Sequence, residues 1–186
     1  KNSKGDITDP LHPDGTSKGW EDVAQLDYTN MAMQEQMIKD MMYWVESEYV
    51  DGFRCDHIEA TPVSFWEKAI PQLRAKRPLF MLAENDEAKF MKGQNLFDME
   101  YGWKLHHLMN DLAQEKKSVI DFYNLMTDIQ TAYEPDDILM NFVTNHDENS
   151  WAGTIGERLG EAAPAMLALQ YMTTGMPLIY SGMEYD

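Results

Sequence analysis

The sequence predicts an α/β fold made of parallel βα units. Short apolar runs alternate with stretches of helical periodicity, in the order helix, strand, helix, strand, strand, helices, strand, helix, strand. Several of the short runs are apolar without polar alternation, as LFMLAE at 79–84 shows, and this fits a sheet buried on both faces. Three of the runs also stop on an acid, which gives the strand ends a common polar character.

Residues 1–20 are rich in Gly, Pro, Asp, Ser and Lys and read as loop. LDYTN at 26–30 ends in Thr29 and Asn30, both good helix caps. A helix is expected from about Met31 to Glu48, with Met33, Met37, Met41, Trp44 and Val45 at steps of three and four. Tyr49 to Arg54 reads as a strand. Thr61 and Pro62 open another helix, burying Phe65, Trp66, Ala69 and Ile70. LFMLAE is the next strand, and LFDMEY at 96–101 is a weaker strand signal. Helical periodicity returns from Gly102 to about Gln114 and again from Ser118 to Ala132. ILMNFVTNHD at 138–147 reads as a strand ending in polar residues. Residues 157–173 read as a helix interrupted early by Pro164, and PLIYSG at 177–182 as a last strand.

Composition narrows the function classes. With 32 acidic and 15 basic residues the chain carries a net charge of −17. That disfavours nucleic acid, which needs Lys and Arg to neutralise phosphates, and it disfavours an anionic membrane surface. A neutral ligand such as sugar is compatible. No run approaches the ~20 apolar residues of a membrane span. The single cysteine, Cys55, cannot form an intrachain disulfide and is expected only to pack.

The chemistry lies at the strand ends. DGFRCD ends at Asp56, LFMLAE at Glu84 and FVTNHD at Asp147, with gaps of 28 and 63 residues between the acids. The first gap is about one βα unit and the second about two, so the acids occupy equivalent C-terminal strand ends. In a (β/α) barrel such ends converge on one mouth, and in an open doubly wound sheet they spread along a crevice. Arg54 lies two residues before Asp56, on the same strand face, and should favour its ionised form. Glu84 has no cation adjacent in sequence, and burial there would favour its protonated form, as a general acid requires. One ionised carboxylate, one protonated carboxyl and a further carboxylate are what glycoside cleavage needs. A metal site is the competing reading, with His57, Glu59, His146 and Asp147 as ligand types. No His-x-His or His-Glu-x-x-His pairing supports it.

At these residues the chain resembles the alpha-amylase family of retaining glycoside hydrolases. DGFRCD at 51–56 is similar to the family's fourth-strand motif Gly-Phe-Arg-x-Asp, and LAE at 82–84 to its fifth-strand segment. TNHD at 144–147 is similar to the seventh-strand Asn-His-Asp motif, and GMPLIYSGME at 175–184 to the eighth-strand segment. The resemblance implies a partial (β/α)8 TIM barrel running from the loop after the third strand to the eighth strand. Residues 1–25 would end a loop domain, and 26–186 would form the C-terminal half of the barrel. A complete barrel takes ~250 residues, so the chain is expected to be a piece of a longer catalytic domain.

The resemblance also implies roles. Asp56 would be the nucleophile, Glu84 the general acid and base, and Asp147 the stabiliser of the oxocarbenium-like transition state. Arg54 would orient Asp56, and His146 with Asn145 would bind the sugar next to the cleaved bond. Tyr101, Trp103 and Trp151 are aromatics that either stack on sugar or pack in the core. The substrate implied is a starch-like polysaccharide or maltooligosaccharide, hydrolysed with retention. A transglycosylase and a non-catalytic glucan- or protein-binding relative are the alternatives. No cofactor is required. The family's interdomain calcium site is disfavoured, because Ala24-Gln25-Leu26-Asp27 stands where many members have Pro-Asp-Leu-Asp. A half-barrel would expose two sheet edges, so a homodimer is expected. A starch-degrading parent would work outside the cell, in the periplasm or at the cell surface.

Overall fold

The computed structural model describes residues 6–11, 16–20, 22–91 and 96–185. The chain divides into two compact units, one of Lys1–Gly52 and His57–Leu79, the other of Phe53–Asp56 and Phe80–Asp186. The segment read as the end of a loop domain, residues 1–25, is described only in part. It holds one isolated antiparallel bridge, Leu11 to Ser17.

The first unit contains helices α1 (Met31–Glu46) and α2 (Val63–Arg74), which pack on each other. Asn30 caps α1 as the sequence suggests, its side chain accepting from the Met33 N–H at 3.2 Å. The helix ends two residues early, because Tyr49 adopts a left-handed conformation (φ 56°) that no helix continues through. Its buried stripe is Ile38 and Val45 flanked by half-buried methionines, and the expected core position Trp44 is exposed. Helix α2 buries Phe65, Trp66, Ala69, Ile70 and Leu73 at helical spacing. A short 3-10 turn, Ile58–Ala60, precedes it and was not legible beforehand.

The second unit contains the sheet. Strands β1 (Gly52–Cys55), β2 (Phe80–Ala83), β3 (Met99–Tyr101), β4 (Ile138–Asn141) and β5 (Met176–Pro177) lie in that spatial order. The β2/β3, β3/β4 and β4/β5 pairs are parallel. Spatial order thus follows chain order without reversal, so the sheet has no topological switch point of the doubly wound kind. A parallel sheet that keeps adding strands on one side, with right-handed helical crossovers, curls toward a barrel. Strands β1 and β5 are the two edges.

Helices α3 (Trp103–Ala113) and α4 (Val119–Ala132) connect β3 to β4, and Ser118 forms a capping box with Asp121 at the start of α4. Helices α5 (Glu148–Trp151), α6 (Ile155–Leu159) and α7 (Ala163–Met172) connect β4 to β5. Pro164 does not interrupt a helix here. The break falls at Gly160 (φ 52°), and Pro164 sits in the first turn of α7, where its missing N–H costs nothing. One core packs Leu105 and Met109 of α3 against Val143, Ile155 and Leu159. Another packs Met99, Tyr101, Met140 and Phe142.

Two expected strands are shorter than read. Strand β4 stops at Asn141 because a side chain replaces the ladder, Gln170 Oε1 accepting from the Val143 N–H at 3.0 Å. The Asn141 amide in turn donates to the Gln170, Thr173 and Thr174 carbonyls at 3.3 Å. The final strand is Met176–Pro177 rather than 177–182. Its ladder is carried by β4 alone, ending with the Leu178 N–H on the Asn141 carbonyl at 2.8 Å, and the chain then enters a 3-10 turn at Met183–Tyr185. The approach to β5 requires glycine: Gly175 has φ +135°, and a Cβ there would lie 2.4 Å from the Leu139 carbonyl oxygen.

Candidate active site

Two of the expected acids lie just past the C-terminal end of a strand, and the third lies farther on. Asp56 follows β1, Glu84 follows β2, and Asp147 follows the irregular stretch after β4 at the start of α5. The register pairs Ala83 with Glu100, which sets Glu84 level with Tyr101 at the end of β3. By strand alternation Arg54, Glu84 and Tyr101 share one face of the sheet, and Cys55, Ala83 and Glu100 point to the other. Cys55 is buried there, and burial pushes its thiol up to about 12, so it is an inert packing residue.

Arg54 organises the site. One guanidinium nitrogen, Nη1, bonds the Asp56 carboxylate. The other, Nη2, lies 2.9 Å from Glu84 Oε1. Its Nε–H donates to the Tyr101 hydroxyl at 3.2 Å. The planar fork therefore meets three partners from three successive strands, a geometry Lys cannot reproduce. Burial works against the Arg54 charge, but the bonds to Tyr101 and Asp56 and the nearby Glu84 outweigh it and hold the guanidinium firmly protonated. No cation adjoins Glu84 in sequence, but the neighbouring strand supplies Arg54.

Asp56 is open to solvent, with its side chain 78 % exposed, whereas Glu84 is largely enclosed. Tyr101 feels the charges of Arg54, Glu84 and Asp147. Burial pushes its hydroxyl up and Arg54 pulls it down, while the charges of Glu84 and Asp147 both act to raise it. The ends of β1, β2 and β3 thus meet through Arg54, which touches Asp56, Glu84 and the Tyr101 hydroxyl.

Asp147 is placed by its neighbours. The Asn145 side-chain oxygen accepts from the Asp147 N–H at 3.0 Å and the Glu148 N–H at 2.8 Å, closing the turn that starts α5. His146 Nε2 lies 3.4 Å from Asp147 Oδ2, and both side chains keep solvent access. Behind them Glu148 Oε2 meets His106 Nε2 at 3.1 Å, and His106 Nδ1 faces the Phe142 carbonyl at 3.2 Å. Burial pushes the His106 imidazole down, and the Glu148 carboxylate opposes that. Arg158 donates to the Val143 carbonyl at 2.7 Å and to Asn110 at 2.9 Å, closing the same support.

Two of the expected substrate-binding residues have structural contacts of their own. Asn145 is 1 % exposed, its oxygen serves the backbone turn, and its side-chain nitrogen is buried without a hydrogen-bond partner. Tyr101 is 4 % exposed, with its ring stacked on Trp103 at 5.7 Å and edge-on to Phe142, so it offers no face to a sugar. Its hydroxyl positions Arg54 instead. Trp103 stacks on His107 at 5.8 Å as well as on Tyr101. Trp151, on α5, is 78 % exposed and free of such packing constraints. Helpers not anticipated are Glu148, His106 and Arg158 behind Asp147, and Glu100 and Tyr133 behind Glu84. The one available signal was a Glu inside the apolar strand LFDMEY, a position that demands partners.

The Gln25 amide donates to the Leu26 carbonyl at 3.1 Å, and among the described residues no three of His, Cys, Asp and Glu come together in a metal-binding group. No helix among them is long and apolar enough to cross a membrane.

The model of the alpha amylase catalytic domain matches residues 17–186. The chain belongs to the alpha-amylase family. Among curated relatives it is 23 % identical to the alpha-amylase MalA of Haloarcula japonica over 167 residues, 89 % of this chain and 24 % of that protein. It is 27 % identical to the maltogenic alpha-amylase of Bacillus acidopullulyticus over 162 residues, 83 % of this chain and 27 % of that one. Among solved structures, the maltogenic alpha-amylase AmyB from Thermotoga neapolitana superposes with a TM-score of 0.83 at 28 % identity. That alignment covers 100 % of this chain and 41 % of the AmyB chain. The chain therefore spans about a quarter of the length of these curated relatives, and its five-stranded parallel sheet is part of an alpha-amylase TIM barrel.

Proposed function

We propose that these residues form the catalytic end of a retaining hydrolase acting on α-glucosidic bonds in starch-like polysaccharides or maltooligosaccharides. The observation that carries the reading is Arg54, which gathers Asp56 and Glu84 onto adjacent guanidinium nitrogens at the ends of neighbouring strands. Asp56, the more open carboxylate, attacks the anomeric carbon and forms a glycosyl-enzyme. Glu84 protonates the departing glycosidic oxygen, then takes a proton from the water that frees the sugar. Retention needs the two carboxyls about 5–5.5 Å apart, a separation one guanidinium bridging both is suited to maintain. Asp147 supplies the charge that stabilises the oxocarbenium-like transition state. His146 and Trp151, both solvent-accessible beside Asp147, are the side chains offered to the sugar. The names of the relatives, alpha-amylase and maltogenic alpha-amylase, support the substrate class.

The test is Asp56→Asn in the full-length enzyme, with maltooligosaccharide products resolved by chromatography. Hydrolysis should be abolished, and a normal rate in that variant would remove Asp56 from the nucleophile role. Wild-type products longer than the substrate would indicate transglycosylation by the same carboxylates, and binding without turnover a non-catalytic relative. The 186 residues expressed alone are expected to be inactive, because the sheet has two open edges and lacks the strands that close the site. Tyr171, Met172, Met176 and Ile179 are exposed along α7 and β5, and this apolar flank should make the isolated chain associate as a dimer. A monomer by light scattering would contradict that expectation.

A further inference from the structure

Glu100 lies in the middle of β3, is 0 % exposed and takes no part in the chemistry above. It points to the face of the sheet opposite Tyr101 and Glu84. There it accepts two hydrogen bonds, from the Asn85 side-chain amide at 3.2 Å and from the Tyr133 hydroxyl. Asn85 is the residue immediately after Glu84. Its amide also donates to the Glu87 carbonyl at 3.0 Å, and its own oxygen is buried without a hydrogen-bond partner. The next residue, Asp86, is held by its backbone carbonyl, which accepts from Lys104 Nζ at 3.1 Å and lies 3.3 Å from the Tyr133 hydroxyl. The segment that leaves Glu84 is thus fastened to β3, α3 and Tyr133, with Glu100 at the centre.

Both bonds to Glu100 are donated to it, which is the pattern of an ionised carboxylate. Tyr133 has one proton and two acceptors, Glu100 Oε1 and the Asp86 carbonyl. When Glu100 is ionised the hydroxyl proton goes to the carboxylate. When Glu100 is protonated it becomes a donor to the Tyr133 oxygen, and the Tyr133 proton turns to Asp86. Asn85 then loses the charge that strengthened its own bond. The charged groups around Glu100 are Asp86, whose charge opposes its ionisation, and Lys104, whose charge favours it. Asp137 acts on Tyr133 in turn.

We propose that Glu100 is a positioning residue that, in its ionised form, holds Glu84 in its productive place through Asn85. Burial pushes the Glu100 carboxyl up to about 7, against the Tyr133 and Asn85 bonds that lower it, so the fastening changes strength near neutral pH. The inference rests on the reading of Glu84 as proton donor.

The experiment measures kcat and KM for maltooligosaccharide hydrolysis by the full-length wild type, Glu100→Gln and Tyr133→Phe across the neutral range. At about pH 8, Glu100→Gln should lower kcat on the order of tenfold, the equivalent of one charge-assisted hydrogen bond, with KM unchanged. The two enzymes should converge as pH falls and wild-type Glu100 protonates. Tyr133→Phe removes a bond that favours the ionised form and should move the wild-type inflection to higher pH. A loss in Glu100→Gln of the same factor at every pH would mark a purely structural residue and overturn the proposal. So would an inflection that neither variant moves. If Glu100→Gln fails to fold, an unmoved inflection in Tyr133→Phe is sufficient to overturn it. A folded wild type without turnover at any pH would instead overturn the hydrolase reading, and this inference with it.

Discussion

Replacing Glu100 by Gln should stabilise the protein at alkaline pH and leave it almost unchanged in acid. The carboxyl is fully buried and its folded value is about 7, against an ordinary 4.5. A carboxyl raised in the folded state binds its proton more tightly when folded. Its contribution is therefore fully present below the unfolded value and declines as pH rises from about 4.5 through about 7. At about 1.4 kcal/mol per pH unit, the gap of about 2.5 units amounts to roughly 3 kcal/mol. Gln keeps the shape and one acceptor oxygen but carries no charge, so the variant escapes this decline. The assay is thermal or denaturant unfolding of both proteins at about pH 5 and about pH 8. The variant's advantage should grow by roughly 3 kcal/mol between them, or about 6–12 °C in Tm for a protein of this size. A stability difference independent of pH would show that Glu100 does not titrate in this range, and the argument from its burial would fail. The same substitution is expected to slow turnover at that alkaline pH, so stability and rate should move in opposite directions.

Tyr101→Phe removes the acceptor of the Arg54 Nε–H and should lower kcat/KM about tenfold. Unchanged kinetics would mean that Asp56 and Glu84 alone fix the guanidinium. Trp151→Ala should raise KM several-fold, leave kcat intact and change stability by less than about 0.5 kcal/mol, since the ring is exposed. A large loss of stability would show that the ring packs in the folded enzyme. Gly175→Ala should cost about 2 kcal/mol or more, from a positive φ and a Cβ 2.4 Å from the Leu139 oxygen. Equal unfolding midpoints for wild type and variant would refute that geometry.

What the sequence makes legible here is phase, and what it hides is reach. The alternation of two placed Arg54 and Asp56 together, and the spacing of acids at strand ends placed Glu84 within reach of Arg54, because strand geometry is local and periodic. Arg54 meeting Glu84 depends on register between β1 and β2, which no stretch of one strand encodes. Tyr101 stayed open between stacking and packing for the same reason. An aromatic at a strand end near a mouth reads as a stacking surface, yet Trp103 and Phe142 cover its ring and leave only the hydroxyl directed at Arg54. Asn145 shows a different gap: its side-chain oxygen turns the backbone into α5, a role that its place beside His146 and Asp147 in sequence does not reveal. Glu100 was legible as an anomaly and not as a function. A glutamate in an apolar strand announces that partners exist, but Asn85 and Tyr133 arrive from 15 and 33 residues away. The candidate acids at the strand ends are therefore readable in sequence, while the side chains that hold them come from the layer beneath, where only the folded structure brings them together.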